Sequence, residues 1–218
     1  IDLNGDLREQ AFVNTPISVD GLANAGEYLF AYDPSGNWGT HITYDKNGQL
    51  ISSKDWNYFS REYVWSNVLR KMYFFRDQIS PNDLIWENID SNGIIGDHMD
   101  SPYHSSTGIE NPIRISPNGS TVLLGSGRIY NPITLEQINS LSNNIKDATW
   151  INDTLYTIYS LDGISTQIQK WTGQNYFLAK IANYSGTPIR MFTISDGLIV
   201  ISQQNNQPTF SIWDENLN

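Results

Sequence analysis

The chain has 218 residues, of which 23 are acidic and 13 basic, so its formal net charge is −10 at pH 7. This balance argues against phosphate backbones as partners, and we expect no nucleic acid ligand. The absence of cysteine excludes disulfides, thiolate metal ligands and cysteine catalysis. Apolar stretches are only strand-length, against the roughly 20 residues of a membrane-spanning helix, so we expect no membrane insertion.

Short runs rich in β-branched and aromatic residues recur along the whole sequence, and clusters of Asn, Asp, Gly, Ser and Pro separate them. A stretch of 12 or more residues with helical periodicity is not found. The pattern predicts an all-β chain, and the length suits a single domain over residues 1–218.

Tight turns punctuate the sequence at regular intervals. Their central residues, in chain order, are Gly5, Gly48, Gly93, Pro132 and Gly173, at spacings of 39 to 45 residues. Asn-Gly pairs supply the positive φ angles that such hairpin turns need. A strand-like run precedes the third strand of each unit, at residues 28–32, 72–75, 121–124, 155–159 and 198–201. A further run comes before these, at residues 16–19, 63–65, 112–115, 148–150 and 188–191, so each repeat offers four strands.

Four short antiparallel strands every 40 to 45 residues are typical of a β-propeller blade. The segment from Ile115 to Leu124, with Ser116, Pro117, Asn118 and Gly119 at its turn, resembles the first turn of WD-type and bacterial YVTN-type propeller repeats. A Gly-His and Trp-Asp pair in every repeat is missing, and Trp213-Asp214 occurs once, so the chain is not a true WD repeat protein. The resemblance implies a five-bladed propeller of four-stranded antiparallel blades.

The two ends of the sequence complement each other. Residues 6–12 read as an outer strand without a blade, and residues 210–213 read as a third strand without a fourth. Pairing them would close the ring and remove its open edges. The alternative is that the chain is a fragment of a larger propeller.

Loops that enter the innermost strands are rich in aromatic residues and arginine, which are enriched at binding hot spots. The predicted ligand-binding residues are Arg61, Tyr63, Trp65, Tyr103, His104, Arg114, Trp150 and Arg190. A structural role is the alternative, because Trp65 and Trp150 lie within strands and Arg114 and Arg190 share one repeat position. The leading hypothesis is a non-enzymatic module that contacts a protein or a carbohydrate through one face of the propeller.

Two other functions stay open at this stage, a structural spacer and a glycoside-acting enzyme. Enzymes of the second kind use paired carboxylates, and Asp20, Glu62, Glu110 and Asp147 lie at or beside the ends of the innermost strands. Asp20 is expected after its strand, and the other three at or before theirs. We therefore do not expect these carboxylates to converge on one catalytic site. We expect no catalytic residues and no cofactor.

A bound calcium ion is a further possibility at Asp2, Asn4 and Asp6, which have the spacing that opens many calcium loops. Such a loop should have a bidentate Glu at its twelfth position, which is residue 13 of the chain, but this residue is Val13. His98 and His104 form a conceivable metal pair, with two solvent-facing side chains as the simpler interpretation. The composition, rich in Asn, Ser, Thr and Gly with little Lys, favours an exported or cell-surface bacterial protein.

Overall fold

The computed structural model describes residues 19–35, 38–77, 79–104 and 107–218. Throughout these ranges the regular structure is β, arranged as five antiparallel sheets, and no helix there could cross a membrane. The described residues form two compact units, which divide the chain between Asp100 and Ser101. The prediction of an all-β chain is therefore confirmed, whereas a single domain stays a prediction.

The first unit contains two four-stranded sheets in which sequential strands are neighbours. The first sheet consists of β1 (Gly21–Ala25), β2 (Tyr28–Asp33), β3 (Gly39–Tyr44) and β4 (Leu50–Asn57). The second sheet consists of β5 (Tyr63–Ser66), β6 (Lys71–Phe75), β7 (Leu84–Ile89) and β8 (Ile95–Asp100).

The second unit contains three sheets with the same sequential order. The third sheet consists of β9 (Ile113–Ile115), β10 (Val122–Leu124), β11 (Arg128–Tyr130) and β12 (Gln137–Ser140). The fourth consists of β13 (Asp147–Ile151), β14 (Thr154–Tyr159), β15 (Ser165–Thr172) and β16 (Phe177–Ser185). The fifth has three described strands, β17 (Thr187–Ile194), β18 (Gly197–Gln204) and β19 (Gln207–Trp213).

The predicted turns at Gly48, Gly93, Pro132 and Gly173 fall between the third and fourth strands of their sheets, and the one at Gly5 lies outside the described residues. Gly48, Gly93 and Gly173 adopt φ angles of 76°, 80° and 73°, in the left-handed region where glycine is favoured. Asp45 and Asp90 accept hydrogen bonds from backbone N–H groups two and four residues later in their own turns. Backbone bonds to these side chains lower the pKa of both carboxyl groups. Turn chemistry thus explains the Asp-x-Asn-Gly pattern without a bound ion.

Neighbouring sheets bury apolar side chains between them. In the first unit, Phe30 of the first sheet packs with Met72 and Phe74 of the second. In the second unit, Leu123 and Ile129 of the third sheet pack with Trp171 of the fourth. The fourth and fifth sheets form a further cluster, with members that include Ile158, Ile168, Met191, Leu198 and Val200. Each sheet therefore needs its neighbour to cover one of its faces.

One strand assignment from the sequence is wrong. The first strand of the first sheet is Gly21–Ala25, farther along the chain than the predicted run at residues 16–19. Asp20 consequently precedes its strand, whereas the sequence placed it after the strand. The Pro-Ile start that Pro16 shares with two later repeats was a misleading signal. Ring closure by residues 6–12 lies outside the described residues.

Candidate functional site

Three of the predicted ligand-binding residues belong to the first unit and have structural partners there. Arg61 donates from its backbone N–H and its guanidinium to the Asp77 carboxylate, at 2.7 and 3.0 Å. Tyr63 packs its ring against Phe30, Phe74 and other aromatic groups between the first two sheets. Burial raises the pKa of the Tyr63 hydroxyl, as expected for a core phenol.

Trp65 packs against the same core, and the Arg70 guanidinium lies 5.6 Å from the centre of its ring. Among the described residues, none accepts a hydrogen bond from its buried indole N–H. Tyr63 and Trp65 therefore fill space between sheets, which agrees with the structural alternative for Trp65.

The other five predicted residues belong to the second unit. Tyr103 is 44% exposed, stacks edge-on against Tyr130, and accepts a hydrogen bond from the Gln137 N–H through its hydroxyl oxygen. His104 is exposed next to it in the chain. Tyr103 therefore contacts the two outer strands of the third sheet, β11 and β12.

Arg114 and Arg190 converge on one buried carboxylate, that of Asp147. Arg114 Nε lies 2.6 Å from Asp147 Oδ1, and Arg190 Nη1 lies 3.8 Å from the same oxygen. The second oxygen accepts the Met191 backbone N–H at 2.9 Å. Innermost strands of three consecutive sheets thus meet at Asp147. A buried charge is costly unless it is paired, so the first role of these contacts is to stabilise the Asp147 carboxylate inside the fold.

The second unit also contains a groove between the third and the fourth sheet of the chain, with a volume of about 770 Å³. Turns of both sheets line it, together with β12 and the inner strand β13. Its lining residues are Ser116, Asn118, Ser120, Thr121, Ile138, Asn139, Trp150, Asn152, Asp153, Thr154, Gly173, Gln174, Asn175 and Tyr176. Trp150 is the one predicted ligand-binding residue among them, and its side chain is 8% exposed. We call this cavity the interblade groove.

Hydrogen bonds fix the shape of the interblade groove. Ser116 Oγ accepts the N–H groups of Ser120 and Thr121, both at 3.0 Å, and so closes the β9–β10 turn. Asn118 Nδ2 donates to Asp153 Oδ1 at 3.0 Å and links the turns of the two sheets. Most of the lining residues are Ser, Thr, Asn or Gln, types that orient a ligand by directional polar contacts.

Sequence reasoning overlooked most of this lining. Asn118 entered the sequence analysis only as a turn residue of the segment that resembles propeller repeats, and Asn152 occupies the corresponding first turn of the next repeat. A signal was available, because equivalent turns of adjacent propeller blades lie side by side on one face. Asn152 and Tyr176 also adopt positive φ angles of 54° and 51°, which sequence alone does not reveal.

A buried charged network lies in the first unit, between its two sheets. His41 Nδ1 bonds with Glu87 Oε2, and both side chains are fully buried. Lys54 Nζ is 3.7 Å from Glu87 Oε1 and 3.3 Å from His98 Nδ1. Burial raises the pKa of Glu87, but His41 and Lys54 outweigh this effect, so the net shift is downward. The network links the two sheets and explains where two of the three histidines lie.

The described residues contain no group of three or more His, Cys, Asp or Glu side chains placed to hold a metal ion. The candidate calcium ligands Asp2, Asn4 and Asp6 lie outside the described residues. Asp153 is the one carboxylate that lines the interblade groove. Two facing carboxylates, the usual equipment for glycoside hydrolysis, are therefore not assembled in this cavity.

Solved structures similar to this chain are β-propeller proteins. Dihydro-heme d1 dehydrogenase NirN aligns with a TM-score of 0.66 and 12% identity, over 91% of this chain and 45% of that chain. Hsv2 of Kluyveromyces lactis aligns with a TM-score of 0.55 and 12% identity, over 92% of this chain and 73% of its own. BamB of Moraxella catarrhalis aligns with a TM-score of 0.53 and 10% identity, over 87% of this chain and 56% of that chain.

These comparisons confirm the propeller resemblance at the level of the fold. This chain spans about half the length of the NirN and BamB chains that it matches. A protein-family profile that matches the sequence was not found, and neither was a matching curated protein. The likeness therefore identifies an architecture that hosts many functions.

Proposed function

We propose that this chain is a non-enzymatic binding module that holds a protein ligand in the interblade groove. The observation that supports it is the lining of this groove, a cavity of about 770 Å³ in which ten lining residues are Ser, Thr, Asn, Gln or Asp and only Asp153 is charged. Directional donors and acceptors around a preformed cavity favour recognition. A single carboxylate, already bonded to Asn118, is a poor basis for acid and base catalysis.

A carbohydrate is the second candidate ligand. Amide and hydroxyl groups beside Trp150 and the half-buried ring of Tyr176 suit sugar hydroxyls and pyranose faces. Against this candidate, Trp150 is mostly covered by its own core cluster and offers little ring surface. We therefore rank protein ahead of carbohydrate.

Glycoside hydrolysis ranks lower still. Of the four carboxylates that the sequence singled out, Asp147 is bound by Arg114 and by the Met191 N–H. Such pairing occupies both oxygens of this carboxylate with structural partners. A structural spacer is compatible with the fold, but this role does not explain the interblade groove.

The similar structures are consistent with a binding role without choosing the ligand. One is described as the outer coat vertex of COPII on membranes, and NirN is described in complex with DHE. The same architecture thus accommodates assembly and small-molecule binding. Export to the cell surface, and a five-bladed ring closed by residues 6–12, are further proposals that rest on the sequence.

Parallel screening of a glycan array and a phage-displayed library of random nine-residue peptides tests the proposed function. We expect the full chain to bind peptides, and an Asn152→Lys variant to lose them because a long cation would fill the groove. Gln207→Lys, at an exposed position on β19, is the matched control. Ligands that bind both variants equally would overturn the groove as the site.

A further inference from the structure

The fifth sheet has two apolar faces, and the fourth sheet covers one of them. Leu198 and Val200 of β18 are fully buried and belong to the core cluster that includes Ile168 of the fourth sheet. Successive side chains of a strand point to opposite faces of its sheet. Ile199 and Ile201 of β18 therefore point away from this core, so the second face of the sheet is apolar as well.

Cross-strand register identifies the neighbours of these two isoleucines. Ile199 pairs with Phe192 of β17 and with Ile212 of β19. Ile201 pairs with Phe210 of β19. Directly opposed residues share one face of a sheet. Phe192, Phe210 and Ile212 are 52%, 69% and 72% exposed. We call this surface, which consists of Phe192, Ile199, Ile201, Phe210 and Ile212, the open face.

The open face is large enough for the centre of a stable interface. Aromatic side chains present about 150–250 Å² each, so the exposed parts of Phe192 and Phe210 amount to roughly 250 Å². With Ile212 the apolar area reaches on the order of 400 Å², the size of patches that are often functional. A stable interface takes about 800 Å² from each partner, with an apolar centre and a polar rim. Arg190 and Gln203, both exposed beside the open face, supply polar groups for such a rim.

Charge favours a second copy of the chain as the occupant of the open face. Each copy has a formal net charge of −10, which opposes association unless the contact avoids acidic side chains. The three described strands of the fifth sheet contain no Asp or Glu, and Arg190 is their one charged residue. Two copies can therefore meet at this sheet without opposing carboxylates, whereas a basic partner would find no carboxylate on these strands to pair with.

We infer that two copies of this chain associate through their open faces, with the two fifth sheets packed face to face. Sheets packed in this way lie about 10 Å apart and interdigitate their side chains. A twofold interface of this kind uses the same patch of both copies, which an apolar face without acidic groups permits. Residues of the fifth sheet do not line the interblade groove, so this interface goes beyond the proposed function and does not depend on it.

Ring closure within one chain is the other way to cover the open face. In a closed propeller each blade packs against the next, so another sheet of the same chain would occupy this surface. The protein would then be a monomer. The two arrangements therefore predict different masses in solution.

Sedimentation velocity of the full chain over a wide range of concentrations tests the inference. We expect a reversible equilibrium between monomer and dimer. Phe210→Asp and Ile212→Asp each place a carboxylate in the interface and should weaken dimerisation at least tenfold. Phe177→Asp, at a 66% exposed position on β16, is the matched control and should dimerise like the unaltered chain. Near-ultraviolet circular dichroism identifies any variant that has lost its fold.

Cross-linking supplies a measurement that does not depend on the Asp variants. The chain has no cysteine, so Ile199→Cys introduces a single thiol on the central strand of the open face. A short bismaleimide should join two such copies. It should not join copies of Leu161→Cys, a 72% exposed position between β14 and β15.

Three results would overturn the inference. The first is a full chain that stays monomeric at every concentration, and protection of the Ile199→Cys thiol in that monomer would point to ring closure instead. The second is a dimer that the folded Phe210→Asp and Ile212→Asp variants form as well as the unaltered chain does, because its interface must lie elsewhere. The third is equal cross-linking of Ile199→Cys and Leu161→Cys.

Discussion

Arg114 Nε donates to Asp147 Oδ1 at 2.6 Å and joins the innermost strands of the third and fourth sheets. Asp147 is 2% exposed, and its other oxygen accepts the Met191 N–H of the fifth sheet. One carboxylate therefore links the innermost strands of three sheets. Arg114 and Arg190, which share a Pro-Ile-Arg element, both point toward it.

Replacing Asp147 should cost far more stability than replacing its weaker partner. Asp147→Ala leaves Arg114 without its buried counter-charge, and we expect a loss of about 3–5 kcal/mol in unfolding free energy. Arg190→Ala removes a half-exposed contact at 3.8 Å and should cost under about 1 kcal/mol. Urea denaturation of the two variants measures the difference. Similar losses in both would contradict the central role of Asp147.

The His41–Glu87 pair predicts an acid-dependent loss of stability. The pKa of Glu87 is lowered in the folded chain, so its contribution is complete above the unfolded value of about 4.3. That contribution disappears as the pH falls through the folded pKa. Glu87→Gln should be less stable than wild type at pH 7, and the gap should shrink below about pH 4. Glu27→Gln, an exposed control, should show no such convergence in urea melts.

Two glycines with the same backbone conformation should respond differently to alanine. Gly127 and Gly163 have φ angles of 81° and 79°, so alanine is strained at both, at a cost of about 1–2 kcal/mol. A Cβ at Gly127 would overlap the Asn143 carbonyl, whereas one at Gly163 meets nothing within 4 Å. Gly127→Ala should therefore lose about a further 1–3 kcal/mol. Equal melting temperatures of the Gly127→Ala and Gly163→Ala variants would contradict the close packing of Gly127 against Asn143.

Closure of the ring predicts a large effect of a small deletion. If residues 6–12 supply the missing strand of the fifth sheet, removal of residues 1–12 should lower the melting temperature by at least about 5 °C. Removal of residues 1–3 alone is the control and should leave it unchanged. Calorimetry that finds identical melting for the two deletions would rule out closure by this segment.

Much of the fold could be predicted from the sequence because each strand is short, apolar and ended by a turn residue. The markers Gly48, Gly93, Pro132 and Gly173 all lie between third and fourth strands. The first repeat failed because Pro16 imitates Pro112 and Pro188, while the actual strand, Gly21–Ala25, contains no β-branched residue. Residue composition alone misplaces a strand such as β1, whose position depends on its pairing with the adjacent strand β2.

The site was harder to predict because it depends on which turns lie next to each other. Aromatic content indicated Tyr63, Trp65 and Trp150, but these side chains fill the spaces between sheets. Polar turn residues such as Asn118 and Asp153 look ordinary in the sequence and become a site only when two sheets align them. The prediction for Arg114 and Arg190 as ligand-binding residues stays untested, although their shared structural role was anticipated.

Chemical blocking of the interblade groove tests whether ligands bind there. The chain has no cysteine, so a single thiol at Gln174→Cys, an exposed position in the groove lining, can be labelled selectively. We predict that a bulky maleimide there reduces peptide affinity at least tenfold, while the same label at Gln207→Cys on β19 has no effect. Unchanged affinity after complete labelling of Gln174→Cys would contradict ligand binding in this groove.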